Sequence, residues 1–200
     1  MQGLSIKFDY VAIQRKIDMA IANSQNIKKL AYQRAYGIFY RAKRTMLAEF
    51  DRHMITQEIL NGPRAVNISE TLDGYGNLFS FIGFHQGSHP VQELRELLLM
   101  ATTFHQGTYG KKAWVFGVRL PTKAAIESVT QMPWEPGGSW AFGVESYISG
   151  LSSFMYKKWI GSRSGQGFQL PYENQEDATF KGQPYITEIL RNFRMRVNKI

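Results

Sequence analysis

Along the first fifty positions, apolar residues recur at steps of three and four. Tyr10, Ile13, Ile17 and Ala20/Ile21 share one helical face, which predicts a helix over Phe8 to Asn23 with Asp9 as its N-cap. Asn23-Ser24 interrupts the pattern and offers a second cap. Beyond it Ile27, Ala31, Ala35, Ile38, Ala42, Met46 and Phe50 keep helical spacing, so a long helix is expected to about Arg52. Its alanine-rich stripe permits close packing against a neighbour. Gly37 costs about 1 kcal/mol there relative to Ala, and a bend or tight crossing is the expected reason for it.

From His53 the pattern breaks into short segments divided by turn residues: Asn61-Gly62-Pro63, Asp73-Gly74-Tyr75-Gly76-Asn77 and Gly87-Ser88-His89-Pro90. Leu78 to Phe84 has the aromatic and β-branched content of a buried strand. Pro90 opens a helix to about Thr102, with Val91, Leu94, Leu97, Leu98 and Ala101 on one face. Ala113 to Leu120 reads as a strand, and Thr122 as the cap of a short helix through Val129. Ser139 to Trp159 reads mostly as helix. Phe168-Gln169-Leu170 suits a short strand, and Tyr185, Ile189, Phe193 and Val197 predict a terminal helix with a basic outer side. Helices bracketing short strands define an α+β class, with long N-terminal helices packed on a small mixed or antiparallel sheet. A single domain, 1–200, is expected, composed of an N-terminal helical segment, 1–52, and a sheet-containing body, 53–200.

Composition narrows the choices. A chain of 200 residues with 44% hydrophobic and 14% aromatic content can bury a core, which excludes disorder as its main state. The longest aliphatic run, Leu97 to Ala101, is far short of a bilayer span. Met1 to Phe8 lacks the layout of a secretory signal, so residence in a cytoplasm is expected. With no cysteine, disulfides, thiolate metal sites and thiol nucleophiles are excluded.

The net charge of +8 is unevenly spread. Residues 1–52 hold ten Lys/Arg against four Asp/Glu, and the rest of the chain fourteen against twelve. A localised basic stripe is a contact surface for something acidic: DNA, RNA, a membrane surface or an acidic protein neighbour. Lys28, Lys29, Arg34, Arg41, Lys43 and Arg44 decorate the long helix, interleaved with Tyr32, Tyr36, Phe39 and Tyr40. Cations could grip phosphates there while aromatics stack on bases; the plainer reading is a solvated basic face over core-filling rings.

Catalytic patterns are hard to assemble. His85 and His89 have H-x-x-x-H spacing but fall in a loop, without the glutamate of a zinc protease motif. No G-x-S-x-G sequence exists, and Gly161 to Gly167 lacks the Gly-Lys-Ser/Thr ending of a phosphate cradle. Glu93 and Glu96, and Glu173, Glu176 and Asp177, read as solvated acids. No enzyme activity, cofactor or metal is expected. Trp134 and Trp140, flanking Pro136-Gly137-Gly138, suit either an interface or burial within the monomer.

Thr56-Gln57-Glu58-Ile59 with Gly62-Pro63, then Asn67-Ile68-Ser69, then Gly76 to Phe84, resemble a family of tailed-bacteriophage neck proteins that includes the tail-completion proteins. Trp140-Ala141-Phe142-Gly143, Ser149-Gly150-Leu151 and Ser162-Arg163-Ser164-Gly165 resemble the same family in the same order. The resemblance implies a non-enzymatic virion subunit, assembled in the host cytoplasm into a homo-oligomeric ring around the DNA channel. Its implied partners are copies of itself, the tail tube or tail terminator, and head-closure proteins, with non-specific DNA contact and no membrane. Expected partner or oligomer contacts are Arg34, Arg41, Lys43, Arg44, Trp134, Trp140 and Arg163. The alternative is a nucleic-acid-binding module using the basic N-terminal helix.

Overall fold

The computed structural model describes residues 9–72, 76–110, 113–133, 137–146, 154–155, 161–165, 168–169 and 180–198. In chain order these residues include helices α1 (Tyr10–Asn23), α2 (Gln25–Arg52), α3 (Met54–Leu60), α4 (Leu78–Ile82) and α5 (Pro90–Ala101). Strands β1 (Thr103–Gly110) and β2 (Ala113–Arg119) follow, then α6 (Lys123–Val129), α7 (Trp140–Ser146), β3 (Phe154–Met155), β4 (Phe168–Gln169) and α8 (Ile186–Asn198). Strands β1 and β2 form one two-stranded antiparallel sheet; β3 and β4 form another, with Phe154 opposite Gln169 and Met155 opposite Phe168. The fold is α+β.

Local chemistry explains most boundaries. The Asp9 carboxylate accepts the Val11 and Ala12 amides at 3.1 and 3.0 Å, opening α1. Thr122 Oγ1 accepts the Ala125 amide at 3.1 Å and opens α6. Segment 78–84 is a correction: it is the helix α4, not a strand. Asn77 Oδ1 accepts the Ser80 amide at 2.9 Å, and Gly83 closes the turn with φ +79°. All five residues of α4 are buried, so no amphipathic period distinguishes helix from strand. A second correction concerns 139–159, where helix ends at Ser146 and Phe154–Met155 pair as strand; Tyr147 to Ser153 and 156–160 lie outside the described residues. The expected turn at Asp73 to Tyr75 and the strand residue Leu170 also lie outside them. Strand β1 and helix α3 had no counterpart in the periodicity.

The chain divides into two compact units. One takes the chain up to Tyr40 together with Phe104–Val118; the other takes Arg41–Thr103 with Arg119–Ile200. In the first, rings from α2 meet rings from the β1–β2 sheet. Phe104 lies 5.5, 5.7 and 5.4 Å from Tyr32, Tyr36 and Phe39, and 5.5 Å from Phe116. Such offset and edge-on geometries are the favoured aromatic arrangements.

In the second unit, Met46 and Phe50 of α2, Ile55 and Ile59 of α3, all of α4, and Val91, Leu94 and Leu98 of α5 are buried with Trp140, Tyr185, Ile186 and Phe193. Glu58 is fully buried within this core. Its two oxygens accept the Ser69 amide at 2.9 Å and the Leu78 amide at 2.7 Å, tying the segment between α3 and α4 to the helix. Helix α8 is started from elsewhere: Glu145 Oε1, near the end of α7, accepts the Tyr185 and Thr187 amides at 3.1 and 2.7 Å. A carboxylate at a helix N-terminus satisfies otherwise unpaired donors and meets the positive end of the dipole.

Candidate functional site

The residues expected to make contacts do not share one role. Arg41 and Arg44 are exposed on α2 in the second unit. Arg34 is exposed on α2 in the first, and by helical spacing it lies across the helix from Tyr36. Lys43 is spent internally: its Nζ donates to the Thr102 carbonyl at 2.8 Å, just past the end of α5, where a cation suits the dipole. Partial burial lowers its pKa.

Trp140 is 1% exposed, edge-on to Phe84 at 5.7 Å and tilted against Tyr185 at 6.3 Å, so it is a core residue of the second unit. Trp134 lies outside the described residues. Arg163 Nε donates to the Gly83 carbonyl at 2.9 Å, and its own carbonyl accepts the Gln86 amide at 3.1 Å. That arginine clamps a surface loop onto the end of α4 within its own chain.

The histidines do different work in different places. His53 Nδ1 accepts the Ile55 amide at 3.3 Å as N-cap of α3, and its ring packs 4.9 Å from Tyr185. Burial lowers its pKa, against a hydrogen bond with the Pro184 backbone and the charge of Glu188, both of which raise it. His85 and His89 are exposed in the turn ahead of α5, and His105 is exposed in β1. Among the described residues no three His, Asp or Glu side chains gather as a metal site, and no helix is long and apolar enough to cross a membrane.

An open groove of about 600 Å³ runs between the end of α2 and α8, lined by Thr45, Glu49, Arg52, His53, Glu188 and Asn192. Its charges are partly answered at home. Arg196 pairs with both oxygens of Glu49, and Arg191 with Glu188 at 3.0 Å. A second two-pronged pair joins Arg95 to Asp51 at 2.7 and 2.9 Å. Sequence spacing could not find the Arg196–Glu49 and Arg95–Asp51 pairs, or the Glu145 cap, because those partners are 40 to 147 residues apart.

Most of the exposed large apolar side chains among the described residues lie in the first unit. Helix α1 buries none of its residues, leaving Tyr10, Ile13 and Ile17 in solvent at 78%, 43% and 47%. On α2, Tyr32, Tyr36 and Tyr40 form a row at four-residue spacing, with ring centroids 5.9 and 6.3 Å apart and planes 6° and 22° from parallel. Phe39, expected among the stacking rings, is buried. Lys28 Nζ sits 5.7 Å from the centre of the Trp114 ring. By sequence this unit holds Lys7, Arg15, Lys16, Lys28, Lys29, Arg34, Lys111 and Lys112 against Asp9 and Asp18, so it carries six of the net +8.

No protein-family model, curated protein or solved structure matches this chain.

Proposed function

We propose that this chain is a non-catalytic assembly subunit of a tailed-bacteriophage neck, building a homo-oligomeric ring that joins tail to head. The observation that carries the reading is α1: fourteen residues with a continuous apolar stripe and none buried. A helix whose apolar face meets water is unstable unless something covers it. Over residues 9–24 the charges balance, with Arg15 and Lys16 against Asp9 and Asp18, so copies can approach along α1 without net repulsion. A ring subunit needs such faces, because each heterologous contact pairs two different patches on successive copies. The resemblance of segments 56–84 and 140–165 to neck proteins supplies the setting, with tail tube or tail terminator and head-closure proteins as neighbours.

Electron microscopy and mass photometry of the purified chain, alone and mixed with phage tails, test this reading. Rings or tail-bound particles are expected, lost in the double variant Ile13→Ser, Ile17→Ser. A wild-type chain that stays monomeric at high concentration and binds no tails overturns it.

A further inference from the structure

We propose that the first unit carries a binding site for single-stranded nucleic acid, in which Tyr32, Tyr36 and Tyr40 stack on unpaired bases and Lys28 and Lys29 hold the phosphates. This goes beyond the assembly reading and uses a different surface: α2 rather than α1.

The row is built before any ligand arrives. Four-residue spacing on a helix advances about 6 Å along the axis, and the observed ring separations of 5.9 and 6.3 Å follow it. Phe104 meets Tyr32 and Tyr36 edge-on, and Phe116 meets Tyr32 from 6.1 Å, fixing the rings from the sheet side. Each tyrosine nevertheless keeps 41%, 43% and 50% of its surface in solvent. Rings held on one side and open on the other, as Tyr32 and Tyr36 are, make stacking platforms with little rotamer freedom left to lose, and Tyr40 extends the row beside Tyr36.

Cations stand at the head of this row. Lys28 is one turn before Tyr32, and Lys29 two turns before Tyr36, on the same side of the helix. With a surplus of six positive charges, the unit attracts a polyanion. A duplex offers phosphates but hides its base faces, so exposed rings add nothing to duplex binding. Unpaired strands offer both.

Fluorescence anisotropy with labelled oligo(dT), oligo(rU) and a duplex of equal length, over a salt series on the full chain, is the test. Single strands are expected to bind more tightly than the duplex, and the ratio of dT to rU affinity assigns the preferred sugar. Tyr36→Leu keeps an apolar group against Phe104 and is expected to weaken single-strand binding roughly 5- to 100-fold. Tyr36→Phe, which keeps the ring, is expected to bind like wild type. Lys28→Gln with Lys29→Gln is expected to reduce the log–log salt slope by about 1.4. The proposal is overturned if single strands do not bind at low salt or if the duplex binds equally well. It is also overturned if Tyr36→Leu, shown folded by circular dichroism, binds unchanged or instead breaks up an oligomer, since a second copy would then occupy the row.

Discussion

The two compact units spend their apolar residues in opposite ways. In the second, the short helices from α3 to α8 pack on one another in succession, and large side chains such as Trp140, Phe50, Phe79 and Phe193 are almost wholly removed from water. In the first, Phe39 is the one hydrophobic side chain buried among the described residues, while Tyr10, Val11, Met19 and Leu30 are 63–78% exposed. Composition does not account for the difference, because both units are rich in aromatic and aliphatic residues. Closure does. A long helix, a helix with no buried residue and a two-stranded sheet offer too few faces to cover each other, whereas several short helices around buried turns offer enough. The second unit therefore owes its stability to itself, and the first displays surface that a binding partner can cover.

Mutations in the two units are expected to separate cleanly. The largest effect belongs to Trp140→Ala, which should cost about 3–5 kcal/mol in urea unfolding by opening a cavity in the second unit. Glu58→Leu should cost on the order of 2–5 kcal/mol, because the Ser69 and Leu78 amides lose their acceptor while staying buried. Glu145→Ala should cost about 1–2 kcal/mol through loss of the α8 cap. By contrast, Ile17→Ala on α1 should change unfolding by less than about 0.5 kcal/mol, while weakening self-association measured by sedimentation. A stability loss at Ile17 as large as that at Trp140 would erase the distinction between the units.

The smallest expected effect is a pH dependence within the second unit. His53 has a folded pKa below its ordinary 6.5, because burial opposes the charged ring more than the Pro184 backbone bond and the charge of Glu188 favour it. The folded state thus binds fewer protons than the unfolded one. Its contribution is complete above 6.5 and is lost as pH falls from there toward the folded value. Thermal melts from pH 7.5 to 5 should show a declining midpoint that flattens in His53→Asn, whose side chain caps without titrating.

Much of the helical framework was legible because one face of each helix repeats at 3.6 residues. The runs Ile27 to Phe50, Val91 to Ala101 and Tyr185 to Val197 show this, and the caps at Asp9 and Thr122 are single residues with a local partner. Segment 78–84 was not legible because it is buried all round: Leu78, Phe79, Phe81 and Ile82 suit either backbone, and the decision rests on Asn77 and Gly83 at its ends. Strand β1, Thr103-Phe104-His105-Gln106-Gly107-Thr108-Tyr109-Gly110, carries two glycines and little apolar alternation, so only its pairing with β2 reveals it. Among the contact residues, the exposed positions of Arg34, Arg41 and Arg44 followed from helical spacing. The internal engagement of Lys43 and Arg163 did not, since Thr102 and Gly83 are 59 and 80 residues away. The tyrosine row was visible as residue types; its open side became apparent only once Phe104 and Phe116 were placed against the other.

One close approach has a genetic consequence. At Gly182 the chain passes so near the end of α7 that an added Cβ would lie in hard contact with the backbone carbonyl of Glu145, and the neighbouring Gln183 amide bonds the Val144 carbonyl at 3.0 Å. Every amino-acid change that one nucleotide can make in a glycine codon adds a side chain. In a library covering every codon, position 182 should therefore tolerate silent changes alone, while the solvent-facing codons of α1 drift freely until selection for assembly is imposed.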